Sequence, residues 1–308
     1  MSFRPKKTER KPFQKTVQKN VSVTNSVTSS EIVLDPCCGS GSFLCAVHRV
    51  LGLPLTSIFG LDLDPISVQL ARINLILDAV EMITETEEEP GSPNIFCGDG
   101  LGVLPAFFPE KFQKIATNSP WGARKVSQNT EYETKKSSGS GETFTQFICR
   151  AHELLAENGE VVFLLPEAFL NIRAHAPTRR FLLENTHIHE ISALGRIFPE
   201  IFTPVIRLHT EKKTQTVKNT ENKNISAQFT TKIQTSTSSE TISAVNDFPQ
   251  EGFSHFPESV FSLRATPETV RILKKMTDIP HTTLRGHAQW GLGIVTGNNS
   301  RWIRETPD

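Results

Sequence analysis

The sequence predicts an α/β fold: a mostly parallel sheet with helices on both faces. Three observations carry the prediction. Short apolar runs of the kind that suit strands buried on both sides recur, as in Ile32–Leu34, Ile58–Leu63 and Val161–Leu165. Stretches with helical apolar spacing stand between them, such as Phe43 to Leu51 and Pro65 to Leu77. A turn of small residues, Cys37-Cys38-Gly39-Ser40-Gly41-Ser42, joins the first strand to the first helix.

Each element has its own reason. Asp35-Pro36 stops the strand Ile32–Leu34, and Phe43, Leu44, Val47, Val50 and Leu51 then repeat at helical spacing. Ile58 to Leu63 is a second strand, ended by Asp62 and Asp64-Pro65. Pro65 sits at the first turn of a helix that carries an apolar stripe to Leu77. Glu81 to Pro93 is acidic and turn-rich, a surface loop. Asn94 to Cys97 is a third strand, leading into Gly98-Asp99-Gly100-Leu101. A fourth strand, Phe112 to Ala116, leads into Thr117-Asn118-Ser119-Pro120-Trp121. Residues 124–142 are polar and rich in Gly and Ser. Beyond them come a helix from Phe144 to Leu155, a strand from Val161 to Leu165 and a helix from Pro177 to Leu183. Strands follow at Ile188–Leu194 and Pro204–Leu208. Thr266-Pro267-Glu268 opens a capped helix that runs to Met276.

Composition divides the chain. Residues 1–30 are polar and basic, a solvated tail. Residues 31–210 hold the strand–helix alternation. Residues 211–247, rich in Thr, Lys, Asn, Gln and Ser, read as a low-complexity linker or insertion. Residues 248–308 hold the capped helix and the opening of a further domain.

The formal net charge of zero advertises no partner, although a local groove can be basic on a neutral protein. The five cysteines lack the paired spacing of a zinc site, so no metal is expected and the thiols read as reduced, in a cytoplasmic protein. No apolar run reaches the roughly 20 residues that a membrane span needs.

Two glycines, Gly39 and Gly41, at a strand-to-helix turn let a ligand approach the backbone, where the helix N-terminus offers free N–H groups. Asp62, at the end of the next strand, is placed to bond ribose hydroxyls. The dinucleotide fingerprint needs a third glycine at position 44, where Leu44 stands, so the reading is a nucleoside-bearing cofactor other than NAD.

With Asp35-Pro36-Cys37-Cys38-Gly39-Ser40-Gly41 followed by Asn118-Ser119-Pro120-Trp121, the sequence resembles the S-adenosylmethionine-dependent, adenine-specific DNA methyltransferases of the TaqI-like kind. The likeness runs from about Ile32 to Leu208 and from about Phe253 to Ile303. It implies a Rossmann-like class I methyltransferase core and S-adenosyl-L-methionine as cofactor. It implies cofactor contacts at Asp35, Gly39, Gly41, Asp62 (ribose) and Asp99 (adenine amino group). Asn118, Ser119, Pro120 and Trp121 match the catalytic motif, and Trp121 and Phe198 match the aromatics that pack on an extruded base. The implied partner is double-stranded DNA with a flipped adenine, in a restriction-modification setting. Gly291 to Asn299 resembles the entry to a target-recognition domain, and a separate chain carrying its remainder is a further implied partner.

Two departures stand out. Ser119 replaces the first proline of the catalytic motif, and Thr24-Asn25 stands near the turn where the family places a Thr-Pro and a helix farther upstream. Three alternatives stay open. Trp121-Gly122-Ala123-Arg124 faintly resembles the motif of RNA guanine methyltransferases. Protein-glutamine methyltransferases share the catalytic motif. A catalytically inactive fragment that binds only DNA or a partner is the third.

Overall fold

The computed structural model describes residues 31–82, 91–122, 141–198, 202–214, 229–238, 241–282, 284 and 286–288. Among these, nine strands form one sheet: β1 Val33–Asp35, β2 Ile58–Asp62, β3 Asn94–Cys97, β4 Phe112–Thr117, β5 Leu155–Pro166, β6 Thr186–Gly195, β7 Val205–Lys212, β8 Thr230–Ser238 and β9 Thr241–Pro249. The helices are α1 Ser42–Leu51, α2 Pro65–Met82, α3 Thr143–Leu154, α4 Ala176–Asn185 and α5 Pro267–Asp278.

The strand order is β3-β2-β1-β4-β5-β7-β6-β8-β9. From β3 to β5 every pairing is parallel. β7 then runs antiparallel between β5 and β6, β8 joins β6 in parallel, and β9 closes the edge antiparallel to β8. The expected α/β fold with a mostly parallel sheet therefore stands. The chain steps outward from β1 through β2 to β3, then returns to the other side of β1 with β4. That reversal is the switch point at which open α/β sheets bind ligands.

Alternation along the strands feeds two cores. Val33, Ile58 and Ile95 point to one face and pack with Leu44, Val68, Ala71 and Leu75 of α1 and α2. Leu34, Phe59, Leu61, Ile115 and Phe163 point to the other and pack with Phe144 and Ile148 of α3. A buried carboxylate ties α1 to α2: Asp78 meets His48 Nδ1 at 2.9 Å and also the Arg49 guanidinium.

Arg179 on α4 is fully buried. Its guanidinium donates to the carbonyls of Phe169 at 2.7 Å, Ile172 at 2.9 Å, Ser259 at 3.0 Å and Glu258 at 2.9 Å. One side chain thereby fastens residues 257–259 to the core. Thr266 caps α5 as expected, its Oγ1 accepting from the Thr269 N–H at 3.1 Å.

The structure differs from the sequence reading in several places, among them β5, which begins at Leu155 and not at Val161. Residues 211–247, read as a linker or insertion, contain the end of β7, all of β8 and most of β9. Ladder bonds use the backbone and ask little of composition. β-branched Thr suits a strand, and Ile233 and Phe248 are buried and anchor the pair. Helix α2 also continues five residues past Leu77, to Met82.

Candidate functional site

The candidate site lies along the carboxyl ends of β3, β2, β1 and β4. These four parallel neighbours deliver Asp99, Asp62, the Gly39–Gly41 turn and Asn118 to one edge. At about 4.8 Å between strands the row spans roughly 14 Å.

The glycine turn is built from its backbone outward. Gly39 and Gly41 adopt positive φ, 53° and 79°, which side-chain-bearing residues rarely take. A Cβ on Gly41 would lie 3.0 Å from both Cα and Cβ of Ala71, so this glycine also lets α1 and α2 approach. A Cβ on Gly39 would meet nothing within 4 Å, so its backbone borders open space. The Gly39 N–H donates to Asp62 Oδ2 at 2.9 Å, and the Asp64 N–H donates to Asp62 Oδ1 at 2.9 Å. Asp62 thus couples the turn to the end of β2. Asp64 caps α2, accepting from the N–H groups of Ile66 and Ser67 at 3.1 Å each.

The third loop is held as closely. The Gly98 N–H donates to the Asp62 carbonyl at 2.9 Å, and the Leu101 N–H to Asp99 Oδ1 at 3.0 Å. Asp99 itself is exposed. A Cβ on Gly100 would fall 1.9 Å from the Pro36 carbonyl oxygen, so only glycine permits this loop to pass the first turn.

Asp35 lies beneath these loops and is 1 % exposed. Its Oδ1 accepts from the Cys37 N–H at 3.1 Å and from Thr117 Oγ1 at 2.8 Å. Burial pushes its carboxyl up to about 7 from an ordinary 3.8, while the Cys37 and Thr117 bonds pull the other way. The Cys37 thiol, 3.0 Å from Thr117 Oγ1, is also raised, chiefly by burial and then by Asp35. Asp35 and Thr117 therefore link the glycine turn to the residue just before Asn118. Thr117 carries no motif of its own, and sequence reasoning passed over it.

Asn118 is exposed at the end of β4 and makes no side-chain hydrogen bond among the described residues. Ser119 is 1 % exposed and its Oγ is unpartnered among the described residues, so its side chain points inward. Pro120 is exposed. Trp121 is fixed by Nε1 donating to the Leu164 carbonyl at 3.3 Å, and its ring meets Phe198 edge-on with centroids 6.0 Å apart. The structure thus brings Trp121 and Phe198 together from segments far apart in sequence. Leu63, just past Asp62, leaves an apolar side chain 52 % exposed at this edge, a feature the strand pattern had absorbed. The expected recognition-domain opening at Gly291–Asn299 lies outside the described residues, and no helix among those described is long and apolar enough to cross a membrane.

Residues 14–278 match the family described as N-6 DNA Methylase. The chain belongs to this family. A relative, the type II methyltransferase M.VspI of Vibrio sp. (strain 343), is 29% identical over 271 residues, covering 87% of this chain and 59% of that protein. The type I restriction enzyme MjaVIII methylase subunit of Methanocaldococcus jannaschii is 30% identical over 108 residues, covering 32% of this chain and 17% of the subunit. The chain thus spans well under two thirds of either relative's length. Among solved structures, the type IIG restriction endonuclease BpuSI aligns with TM-score 0.51 and 16% identity over 82% of this chain and 26% of that one, a likeness of fold. Family membership and fold agree with the resemblance that the glycine turn and Asn118–Trp121 carry.

Proposed function

We propose that this chain transfers a methyl group from S-adenosylmethionine to the N6 amino group of adenine in double-stranded DNA, as the modification activity of a restriction-modification system. The observation that carries the proposal is the exposed Asn118 at the switch point. It lies between the Gly39–Asp62 turn on one side and the Trp121–Phe198 aromatic pair on the other.

The residues of the edge fit the cofactor. The open space at Gly39 admits a ligand against the backbone. Asp62 is placed for ribose hydroxyls, Asp99 for an adenine amino group, and Leu63 supplies an apolar surface between them. Gly41 belongs to the turn around the methionine end, and Asp35 braces that turn from below. The bound cofactor supplies an electrophilic methyl group on a cationic sulfur.

The chain's own residues prepare the acceptor. The lone pair of adenine's amino nitrogen is delocalised into the ring. Two acceptors on its two N–H bonds favour a more tetrahedral nitrogen with an available lone pair. The Asn118 side-chain oxygen is one. The Ser119 backbone carbonyl is the other, an acceptor that serine supplies as well as the proline it replaces. With the cofactor bound, that lone pair would take the methyl group, the carbon–sulfur bonding electrons would remain on sulfur, and one amino proton would pass to solvent. Positioning and preorganised dipoles supply the rate. Trp121 and Phe198 form a surface on which an extruded base stacks, and Pro120 stiffens the loop just before Trp121.

The test compares acceptors. Labelled methyl transfer to duplex DNA, to tRNA and to a release-factor protein is measured side by side. Transfer to DNA alone, with the label recovered as N6-methyladenine, is expected. Transfer to tRNA or protein instead contradicts the proposal, as does transfer to none by a folded chain both alone and with a recognition subunit added. DNA methylation that appears only when a second chain is added would support the expected separate recognition subunit.

A further inference from the structure

Helix α2 carries two apolar seams on opposite sides. Val68, Ala71, Leu75 and Ala79 are buried against α1 and the sheet. Turned away from them by about half a turn, Ile66, Leu70, Ile73, Leu77 and Val80 are 69%, 46%, 52%, 57% and 54% exposed. Their spacing alternates four and three residues, the repeat with which one helix seats against another. Ile76 widens the seam. An ordinary surface helix has one apolar stripe, facing its own core. Nothing among the described residues covers this second one.

We propose that this seam is a self-association surface, on which α2 packs antiparallel against α2 of a second copy across a two-fold axis. Three features select that occupant. Ile66 and Val80 stand seven residues either side of Ile73, so an antiparallel pair centred there sets Ile66 against Val80, Leu70 against Ile76, and Ile73 against itself, as an isologous contact requires. The flanking Ser67, Gln69 and Asn74 are uncharged, so two copies meet without like charges along the seam. Finally, the 18-residue helix exposes on the order of 500 Å² of apolar side chain, at the top of what monomers commonly show. With its polar rim, a symmetric pair buries roughly 1,200 Å² in all, the lower end of stable interfaces. Antiparallel helices also align their dipoles favourably, and Glu81 of one copy then lies at the N-terminus of its partner's helix. Because the seam faces away from the sheet, pairing leaves the carboxyl edge open.

Sedimentation equilibrium from about 1 to 100 µM tests the proposal, a range that brackets a micromolar dissociation constant. The wild-type chain is expected to form a concentration-dependent dimer. Ile73→Glu and Ile73→Lys are each expected to be monomeric with unchanged circular dichroism, because residue 73 is on the surface. Mixing the two variants is expected to restore a dimer, since each copy's residue 73 faces the other's. A wild-type monomer across the range, a dimer that survives both substitutions, or variants that stay monomeric when mixed would each overturn the proposal. A wild-type monomer whose urea midpoint falls on Ile73→Glu would show that another segment covers the seam, and would overturn it equally.

Discussion

The two halves of the sheet are built for different tasks. From β3 to β4 the strands are three to six residues long and all parallel, so every carboxyl end reaches the same edge. From β5 to β9 they are eight to twelve residues long and mostly antiparallel, so successive ends alternate between edges. The first arrangement gathers four loops into a row; the second disperses its loops and builds a long ladder instead. Two carboxylates, one in each half, show the difference. Asp35, under the loops, has no cation beside it, and burial pushes it up to about 7. Glu160, on the face of β5, is held down to about 2, first by its bond to His209 and then by Lys114, against the opposing effect of its burial. The parallel half thus keeps a buried, unpaired carboxyl under its loops, whereas Glu160 in the antiparallel half is paired with His209 and Lys114.

The largest expected break in this comparison is at Asn118. Asn118→Ala should lower the single-turnover methyl-transfer rate about 10²- to 10³-fold, or about 3–4 kcal/mol, with cofactor affinity unchanged. On the antiparallel side, Arg179→Ala strips four carbonyls of their donor. It should cost about 3 kcal/mol in urea-monitored stability, with methionine no better, since neither replaces the guanidinium's bonds. Gly100→Ala forces a methyl group into the Pro36 carbonyl and must part the first and third loops. Its cofactor affinity should fall about tenfold, or 1.4 kcal/mol, with a smaller loss of stability than at Arg179.

The smallest effects sharpen the comparison through pH. Asp35 retains a proton in the folded chain that the unfolded chain loses, so its contribution to stability declines as pH rises from about 4 to 7 and is flat beyond. Glu160 behaves oppositely. Its contribution is present above about 4.5 and is lost as pH falls toward 2. Asp35→Asn should flatten the neutral limb of the stability profile, and Glu160→Gln the acid limb. Glu160 is partly exposed, so its effect is the weaker and should shrink in salt.

The parallel half was largely legible in the sequence, because its strands are buried on both faces and read as apolar runs broken by glycine and aspartate. Gly39, Asp62, Asp99 and Asn118 were marked by position at strand ends, and the fold does bring them to one edge. The antiparallel half was legible only in part: β5, β6 and β7 carry apolar runs that read as strands, whereas β8 and β9 do not. β8 is written largely in threonine and serine and β9 mixes small, polar and apolar residues, and their ladder is backbone chemistry that composition does not record. Arg179 in Thr178-Arg179-Arg180 looks like a surface charge until distant carbonyls converge on it. Thr117 acts only through Asp35, which lies 82 residues away in sequence. The second seam of α2 was hidden for another reason: apolar spacing on a helix does not say which of two faces finds a partner.

The most direct measurement is calorimetric titration of S-adenosylmethionine into the purified chain, with Asp62→Ala and Glu160→Gln in parallel. Saturable binding at one site, abolished by Asp62→Ala and untouched by Glu160→Gln, is the predicted result. A folded chain that binds no cofactor, or binds it equally well without the Asp62 carboxylate, would contradict the assignment of the parallel edge as the methyltransferase site.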